Sequence, residues 1–409
     1  MSSLSQVTES TRKTYLEGLR GLAALVVFFH HFITLFYPEA ISYTTATPHT
    51  HSRVMAWLRE SPLRGLYDGN FAVCVFFVLS GYVLTVTFFR TRRHTVIYRL
   101  VAARYVRLVL PAMASIVLVV VLRGCSLYHI RASADLNLAT LIAVPAILFQ
   151  DELRWTRVLW DGLVTTWVVI RRPWELVNLV LWTMSIEFIG SMISFGTAVV
   201  VTGLRQRWIY VLVFAACCSE FGGDFGDFFC AFLLGVMLAA ITARPVTDRW
   251  WPLALLGIAI ALGGYTNEGE FYAPIRDLHP WLAKPDAMVL LRVIAAFLVM
   301  VAVLKSRKLQ HALSTKLLAF LGRISFSLYL THQPIMYSLS AFIMLKTWTG
   351  MKYHHAMLLN FCVTAAVCIA VACAMALTID RWAILVSRRA ARFLVLDEPQ
   401  PSTAGPDRR

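Results

Sequence analysis

Long apolar segments recur along the whole chain, and this pattern constrains the fold more than any other feature. Hydrophobic residues make up 58% of the 409 positions, a share above that of soluble globular domains. Apolar segments that cross lipid do so as α-helices, because every backbone polar group must be satisfied internally. The sequence therefore predicts an all-α, polytopic membrane helical bundle of about ten transmembrane helices. The predicted spans cover approximately residues 16–37, 69–89, 105–122, 174–202, 208–221, 225–242, 250–264, 287–304, 317–345 and 356–385.

Basic residues cluster between these segments and predict the orientation. Arg12 and Lys13 precede the first span, and six arginines without any acid lie from Arg90 to Arg107. Cytoplasmic loops of membrane proteins carry such an excess, so both termini are predicted to be cytoplasmic. The same distribution accounts for the net charge of +15, and nucleic-acid binding is not expected.

The chain divides into three predicted regions. A cytoplasmic N-terminal tail covers residues 1–13, a membrane domain covers residues 14–385, and a basic cytoplasmic tail at 386–409 is expected to be disordered. Two apolar pieces at 138–149 and 159–170 are short for a span, and we expect a re-entrant pair or an outer cap there. The eight cysteines show no metal-ligand spacing, so no metal site is predicted.

The first span carries ionisable groups inside an apolar helix. Residues 16–32 read LEGLRGLAALVVFFHHF, and Arg20 and His31 lie within about 20° of each other on the helix surface, roughly 16 Å apart along the axis. Such residues indicate a functional site. Alternatively, Arg20 extends to the headgroups and His31 only packs. His30 is about 100° away on the helix and is predicted to face elsewhere.

Charged groups also occur at two other spans. Arg104 and Arg107 lie three positions apart at the start of the third span, where paired guanidiniums suit a phosphate or simply mark the cytoplasmic side. Glu187 lies within the fourth span and needs a partner such as Arg20, for chemistry or for holding helices together.

Hydroxyl and imidazole groups form a further set. Ser325, Tyr329 and His332 are spaced by four and three residues, so they project from one helix face and either orient a substrate or form an interhelical hydrogen-bond seam. Ser80 and Ser185 are predicted to contact substrate as well. Gly81 is predicted to serve helix packing.

Five segments in order resemble the acyltransferase-3 family of integral-membrane O-acyltransferases: LEGLRGLAALVVFFHHF, FFVLSGYVLT, RYVRLVLPA, LWTMSIEF and LGRISFSLYLTHQPI. The resemblance extends from about residue 14 to 385. Arg20 and His31 match the family's signature of an Arg, ten residues and a His, and Arg104 and Arg107 match its Arg-x-x-Arg. Glu17 stands where many members have Asp. The resemblance implies a ten-helix core that transfers an acyl group, commonly acetyl from acetyl-CoA, to a hydroxyl of a carbohydrate, a natural product or a lipid.

Acyl transfer assigns roles to the candidate residues. His31 is expected to act as general base, because its imidazole is neutral near physiological pH. Arg20 is expected to stabilise the oxyanion that develops at the thioester carbonyl or to bind donor phosphate. Glu187 is expected to orient Arg20 or His31. Arg104 and Arg107 are expected at the phosphates of acyl-CoA, a co-substrate, and no permanently bound cofactor is predicted. Ser80, Ser185, Ser325, Tyr329 and His332 form the expected substrate-binding set.

Other interpretations of the same residues remain open. A proton-coupled secondary transporter would also use buried Arg, His and Glu, although the sequence lacks the internal repeat common in transporters. An inactive membrane scaffold is a third interpretation. The sequence leaves open direct transfer or an acyl-enzyme relay, and a plasma or an internal membrane.

Overall fold

The chain folds as an assembly of α-helices. The computed structural model describes residues 2–42, 53–140, 144, 155–168, 176–221, 225–241 and 246–396. Within these residues the regular structure is helical, apart from an isolated β-bridge between Thr247 and Ser306. The α-helices are α1 (Ser2–Phe36), α2 (Arg53–Glu60), α3 (Gly69–Thr91), α4 (His94–Gly124), α5 (Ile130–Asp135), α6 (Trp155–Trp160), α7 (Thr166–Val168), α8 (Trp182–Val201), α9 (Arg207–Phe221), α10 (Gly226–Ile241), α11 (Trp251–Gly263), α12 (Ala273–Arg276), α13 (Pro285–Lys305), α14 (Arg307–Leu313), α15 (Lys316–Ile335), α16 (Ala341–Thr347), α17 (Tyr353–Met375) and α18 (Arg381–Leu394).

Six helical segments of the described chain are long and apolar enough to cross a membrane. They are Thr14–Phe36, Gly69–Thr91, His94–Gly124, Leu179–Val201, Pro285–Lys305 and Tyr353–Leu394. Two shorter apolar helices, Gly226–Ile241 and Trp251–Gly263, accompany them. Helices occupy all ten predicted segments, but the count of ten spans and the cytoplasmic orientation of the termini stay predictions.

Several helix boundaries differ from the sequence-based ones. The last helix continues through a π-helical turn at Ala376–Asp380 to Leu394, so the predicted disordered tail begins too early at residue 386. Residues 397–409 lie outside the described residues. The apolar piece at 138–149 also lies mostly outside the described residues. The piece at 159–170 is described as far as Val168, where it consists of the end of α6, a π-helical turn at Asp161–Thr165, and α7.

Close helix pairs rely on glycines at their contact points. A Cβ on Gly21 of α1 would lie 2.6 Å from the backbone of α15, and one on Gly322 of α15 would lie 2.1 Å from the backbone of α1. The α3–α10 pair is equally close, because a Cβ on Gly81 would lie 2.0 Å from the carbonyl oxygen of Phe232. Small residues let helix backbones approach in this way. The packing role predicted for Gly81 is confirmed, and the α1–α15 contact places Arg20 beside α15.

A buried ionic cluster fixes the start of α3. Asp68 accepts a hydrogen bond from the Phe71 backbone N–H at 2.9 Å, as helix N-caps do, and pairs with Arg64 at 3.4 Å and Arg292 at 3.0 Å. Burial raises the pKa of the Asp68 carboxyl, but Arg292 and Arg64 outweigh burial and lower that pKa from 3.8 to about 2. In the same region, His30 of α1 hydrogen-bonds through Nδ1 to the Tyr67 carbonyl at 3.2 Å. The cluster therefore joins the start of α3 to α13, and the hydrogen bond of His30 holds α1 beside it.

Candidate active site

A cavity of about 240 Å³ opens between α1, α3, α4, α8 and α15. Aliphatic and aromatic side chains such as Phe76 and Leu108 form part of its wall. Polar side chains from all five helices form the rest. Seven of the ten predicted site residues line the cavity: Arg20, Ser80, Arg104, Arg107, Glu187, Ser325 and Tyr329. His31, His332 and Ser185 do not line it.

Glu187 joins three helices at one side of the cavity. Its carboxylate accepts hydrogen bonds from the guanidinium of Arg104 on α4 and from the Ser80 hydroxyl on α3, the latter at 2.9 Å. Arg104 also donates through Nε to the Ser191 hydroxyl at 2.9 Å. The sequence suggested Arg20 as partner of Glu187, whereas the structure pairs it with Arg104. The spacing along one helix cannot specify a partner on another helix.

Arg107 pairs with a carboxylate that the sequence interpretation missed. Its guanidinium donates to Asp380, which is buried at the end of the π-helical turn before α18. The same guanidinium lies over the Phe326 ring, 5.6 Å from its centroid. Asp380 is the single acid within the predicted 356–385 span, and a carboxylate inside an apolar span was a usable signal.

Arg20 also faces the cavity. Within the described residues its guanidinium makes no hydrogen bond or ion pair, and the side chain is exposed to the open volume. The cavity thus contains three guanidiniums, of which two are paired with carboxylates. One positive charge is left in excess. This arrangement suits a ligand that brings, or develops, negative charge.

The hydroxyl groups at the cavity mostly connect helices. The Tyr329 hydroxyl on α15 hydrogen-bonds to the Thr183 hydroxyl on α8 at 2.8 Å and donates to the Val180 carbonyl at 3.3 Å. Thr183, which sequence reasoning did not single out, also lines the cavity. Ser325 donates to a carbonyl of its own helix at 2.8 Å, and Ser185 is buried and donates to the Trp182 carbonyl. Tyr329 thus forms an interhelical seam at the cavity wall.

His31 lies in a neighbouring layer, farther along α1 than Arg20. Its Nδ1 lies 2.9 Å from the side-chain nitrogen of Gln333, and its ring centroid lies 5.2 Å from that of His332. The His332 ring in turn lies 6.0 Å from the Tyr329 ring at the cavity wall. His30 turns away towards the Tyr67 carbonyl, as predicted. Gln333 was not picked out from the sequence, because its role depends on contact between two helices.

His332 is buried between these two layers. Its Nδ1–H donates to the Leu328 carbonyl at 3.1 Å, since a carbonyl oxygen only accepts. Its Nε2 has no hydrogen-bond partner within the described residues. The side chains of Tyr329 and His332 therefore separate the cavity from His31.

Comparison with known families agrees with these motifs. The model of the acyltransferase-3 family, described as an acyltransferase domain, matches residues 13–378. No curated protein and no solved structure matches the chain. The matched range contains every residue that lines the cavity, and Asp380 lies two positions beyond it. Because the match covers nearly the whole sequence, the chain belongs to the acyltransferase-3 family, whose members' activity is acyl transfer.

Proposed function

We propose that the protein is a membrane O-acyltransferase that moves an acyl group, most simply acetyl, from acyl-CoA to a hydroxyl of a carbohydrate or a natural product. The observation that carries this proposal is the cavity in which Arg20 has no ion-pair partner among the described residues and guanidiniums outnumber their paired carboxylates by one. A guanidinium at an apolar cavity wall without an ion-pair partner has its hydrogen-bond donors free for an anionic ligand. A negatively charged donor would supply the missing charge.

The donor occupies the cavity in this proposal. Arg104, Arg107 and Arg20 hold its phosphates. Arg104 and Arg107 are already paired with carboxylates, yet each guanidinium carries five N–H donors and retains some for phosphate. At about 240 Å³ the cavity is smaller than typical pockets for drug-sized ligands, of roughly 300–1,000 Å³. It therefore takes a phosphate-bearing part of acyl-CoA, and the rest of the donor, with the thioester, extends beyond it.

His31 serves as general base for the acceptor hydroxyl. The helix rise places His31 roughly 16 Å from Arg20 along α1, with Tyr329 and His332 in the layer between them. A donor at Arg20 and an acceptor at His31 therefore meet only when this layer opens or when an acyl-enzyme carries the group across. Single-turnover analysis with radiolabelled acyl-CoA separates the two routes, because only the relay leaves label on the protein.

Release of free thiol from acetyl-CoA by protein in nanodiscs tests the proposal. We expect turnover by the wild type, none by His31→Ala, and a raised KM for acetyl-CoA in the Arg104→Ala/Arg107→Ala variant. His355→Ala, at an exposed histidine, is the matched control and should behave as wild type. Folded protein that neither binds nor cleaves any of a panel of acyl-CoAs would contradict the proposal. Solute flux into proteoliposomes without acyl-CoA would then favour a transporter.

A further inference from the structure

Gln333 is the residue that holds the His31 ring. Its side-chain nitrogen lies 2.9 Å from His31 Nδ1, and this is the hydrogen bond that the His31 ring makes within the described residues. Gln333 is 1% exposed, and its Oε1 has no hydrogen-bond partner among the described residues. The titratable rings beside His31 are His30 on its own helix and His332 on α15, at centroid distances of 5.5 and 5.2 Å. A buried amide with an unused oxygen thus faces the proposed base.

The orientation of this amide decides which nitrogen of His31 is basic. With the amide nitrogen towards Nδ1, the ring proton must sit on Nε2. With the amide rotated by half a turn, Oε1 accepts from Nδ1–H and Nε2 keeps a free lone pair. The amide oxygen and nitrogen have nearly the same size, so both orientations fit the same packing. Only the second orientation leaves a general base at Nε2.

Proton transfer selects between the orientations. When Nε2 takes the proton of the acceptor hydroxyl, both ring nitrogens carry hydrogen and Nδ1–H needs an acceptor. His332 donates through Nδ1–H to the Leu328 carbonyl, which leaves a lone pair on its Nε2, but the His31 ring makes its hydrogen bond to Gln333 and not to His332. The unused Oε1 of Gln333 lies on the side chain already in contact with Nδ1. A buried charged group that lacks a hydrogen bond is destabilised more than a neutral one.

We propose that Gln333 presents Oε1 to His31 Nδ1–H, fixes the tautomer with a basic Nε2, and stabilises the imidazolium formed during transfer. This inference rests on the proposed function, in which His31 is the base. The acceptor O–H bond breaks, its proton moves to His31 Nε2, and the oxygen electron pair forms the new C–O bond. The thioester C–S bond then breaks, and the leaving thiolate takes the proton from Nε2. Gln333 exchanges no proton and is a positioning residue.

A pair of substitutions tests this positioning role. Gln333→Met keeps the length of the side chain and removes the acceptor, so we expect kcat to fall about tenfold to a hundredfold, part of the 10²–10⁴ that general bases contribute. The KM for acetyl-CoA should stay within about twofold. Gln333→Glu keeps an acceptor, so it should retain most of kcat at its own optimum. Its pH–rate profile should move to higher pH, because a carboxylate favours the protonated ring.

Matched controls separate positioning from packing. Gln310→Met removes an amide that donates to the Val303 and Leu304 carbonyls, and its kcat should equal that of wild type. In a His31→Ala background, Gln333→Met should cause no further loss of rate. A kcat of Gln333→Met within twofold of wild type, or equal losses in Gln333→Met and Gln333→Glu, would overturn the inference even if His31→Ala is inactive.

A spectroscopic readout keeps this test separate from the proposed function. In ¹⁵N-histidine NMR spectra, the His31 signals are identified by their loss in His31→Ala. We expect a protonated Nδ1 in the wild type and loss of that tautomer preference in Gln333→Met. If the wild type releases no thiol, the proposed function fails while the spectra still decide the orientation. An unchanged tautomer in Gln333→Met overturns the inference.

Discussion

The Arg104–Glu187 pair yields the sharpest prediction, because stability and donor affinity should change in opposite directions. Glu187→Gln removes one negative charge and keeps the size of the side chain. Removing one partner of a buried ion pair destabilises by about 3–5 kcal/mol. The amide oxygen still accepts one hydrogen bond, worth about 1 kcal/mol, and both partners are 14% exposed. We therefore expect a net loss of about 2–3 kcal/mol in the free energy of unfolding.

The same substitution should favour the donor. The excess charge at the cavity rises from one to two, so the KM for acyl-CoA should fall by about twofold to fivefold, equal to about 0.4–1 kcal/mol. Tryptophan fluorescence during thermal unfolding in detergent gives the stability, and thiol release gives the KM. Glu220→Gln, at an exposed glutamate, controls for loss of charge elsewhere.

Two results would refute this reasoning. One is a tenfold rise in KM with unchanged stability, which would mean that Glu187 itself contacts the donor. The other concerns Arg104→Gln/Glu187→Gln, in which no charge of the pair remains. This double variant should recover most of the lost stability, since replacing both partners is close to neutral, while its KM should rise. Stability no better than that of Glu187→Gln would show that the pair is not the cause.

Three further predictions concern other parts of the fold. Arg20→Gln should raise the KM for acyl-CoA about tenfold, or about 1.4 kcal/mol. Arg323→Gln, at an exposed position, should leave this KM unchanged, and an unchanged KM in Arg20→Gln would contradict the assignment of the cavity to the donor. Gly21→Ala would place a Cβ 2.6 Å from the α15 backbone and should lower the free energy of unfolding by about 1–3 kcal/mol. Gly196→Ala, whose Cβ would meet no described atom within 4 Å, should raise the free energy of unfolding by about 0.5–1 kcal/mol. Equal effects of the two substitutions would count against close α1–α15 packing. Asp68 has a pKa lowered from 3.8 to about 2, so it should stabilise the fold by about 2–3 kcal/mol above about pH 4, and this contribution should be lost towards pH 2. The difference in the free energy of unfolding between wild type and Asp68→Asn should therefore be constant from pH 5 to 8 and shrink below pH 4. A difference that persists to pH 2 would contradict this.

The membrane character and the principal motifs were predictable from the chain alone. Apolar length and backbone hydrogen bonding leave only helices as spanning elements, and helices occupy each predicted segment. The order of the motifs was enough to identify the family, which the match to residues 13–378 confirms. The face shared by Arg20 and His31 follows from helix geometry within one element. Both side chains do lie towards α15, Arg20 at the cavity and His31 at Gln333.

Partners across helices were decided only by the tertiary structure. Arg104 and Glu187 are 83 positions apart, and Arg107 and Asp380 are 273 apart, so no periodicity within one segment connects them. The π-helical turn that ends at Asp380 also leaves no clear signature in an apolar sequence. Close packing through glycine fixes how far each helix slides and turns against its neighbour. That geometry determines which arginines pair with carboxylates, which one has no ion-pair partner among the described residues, and which amide contacts His31.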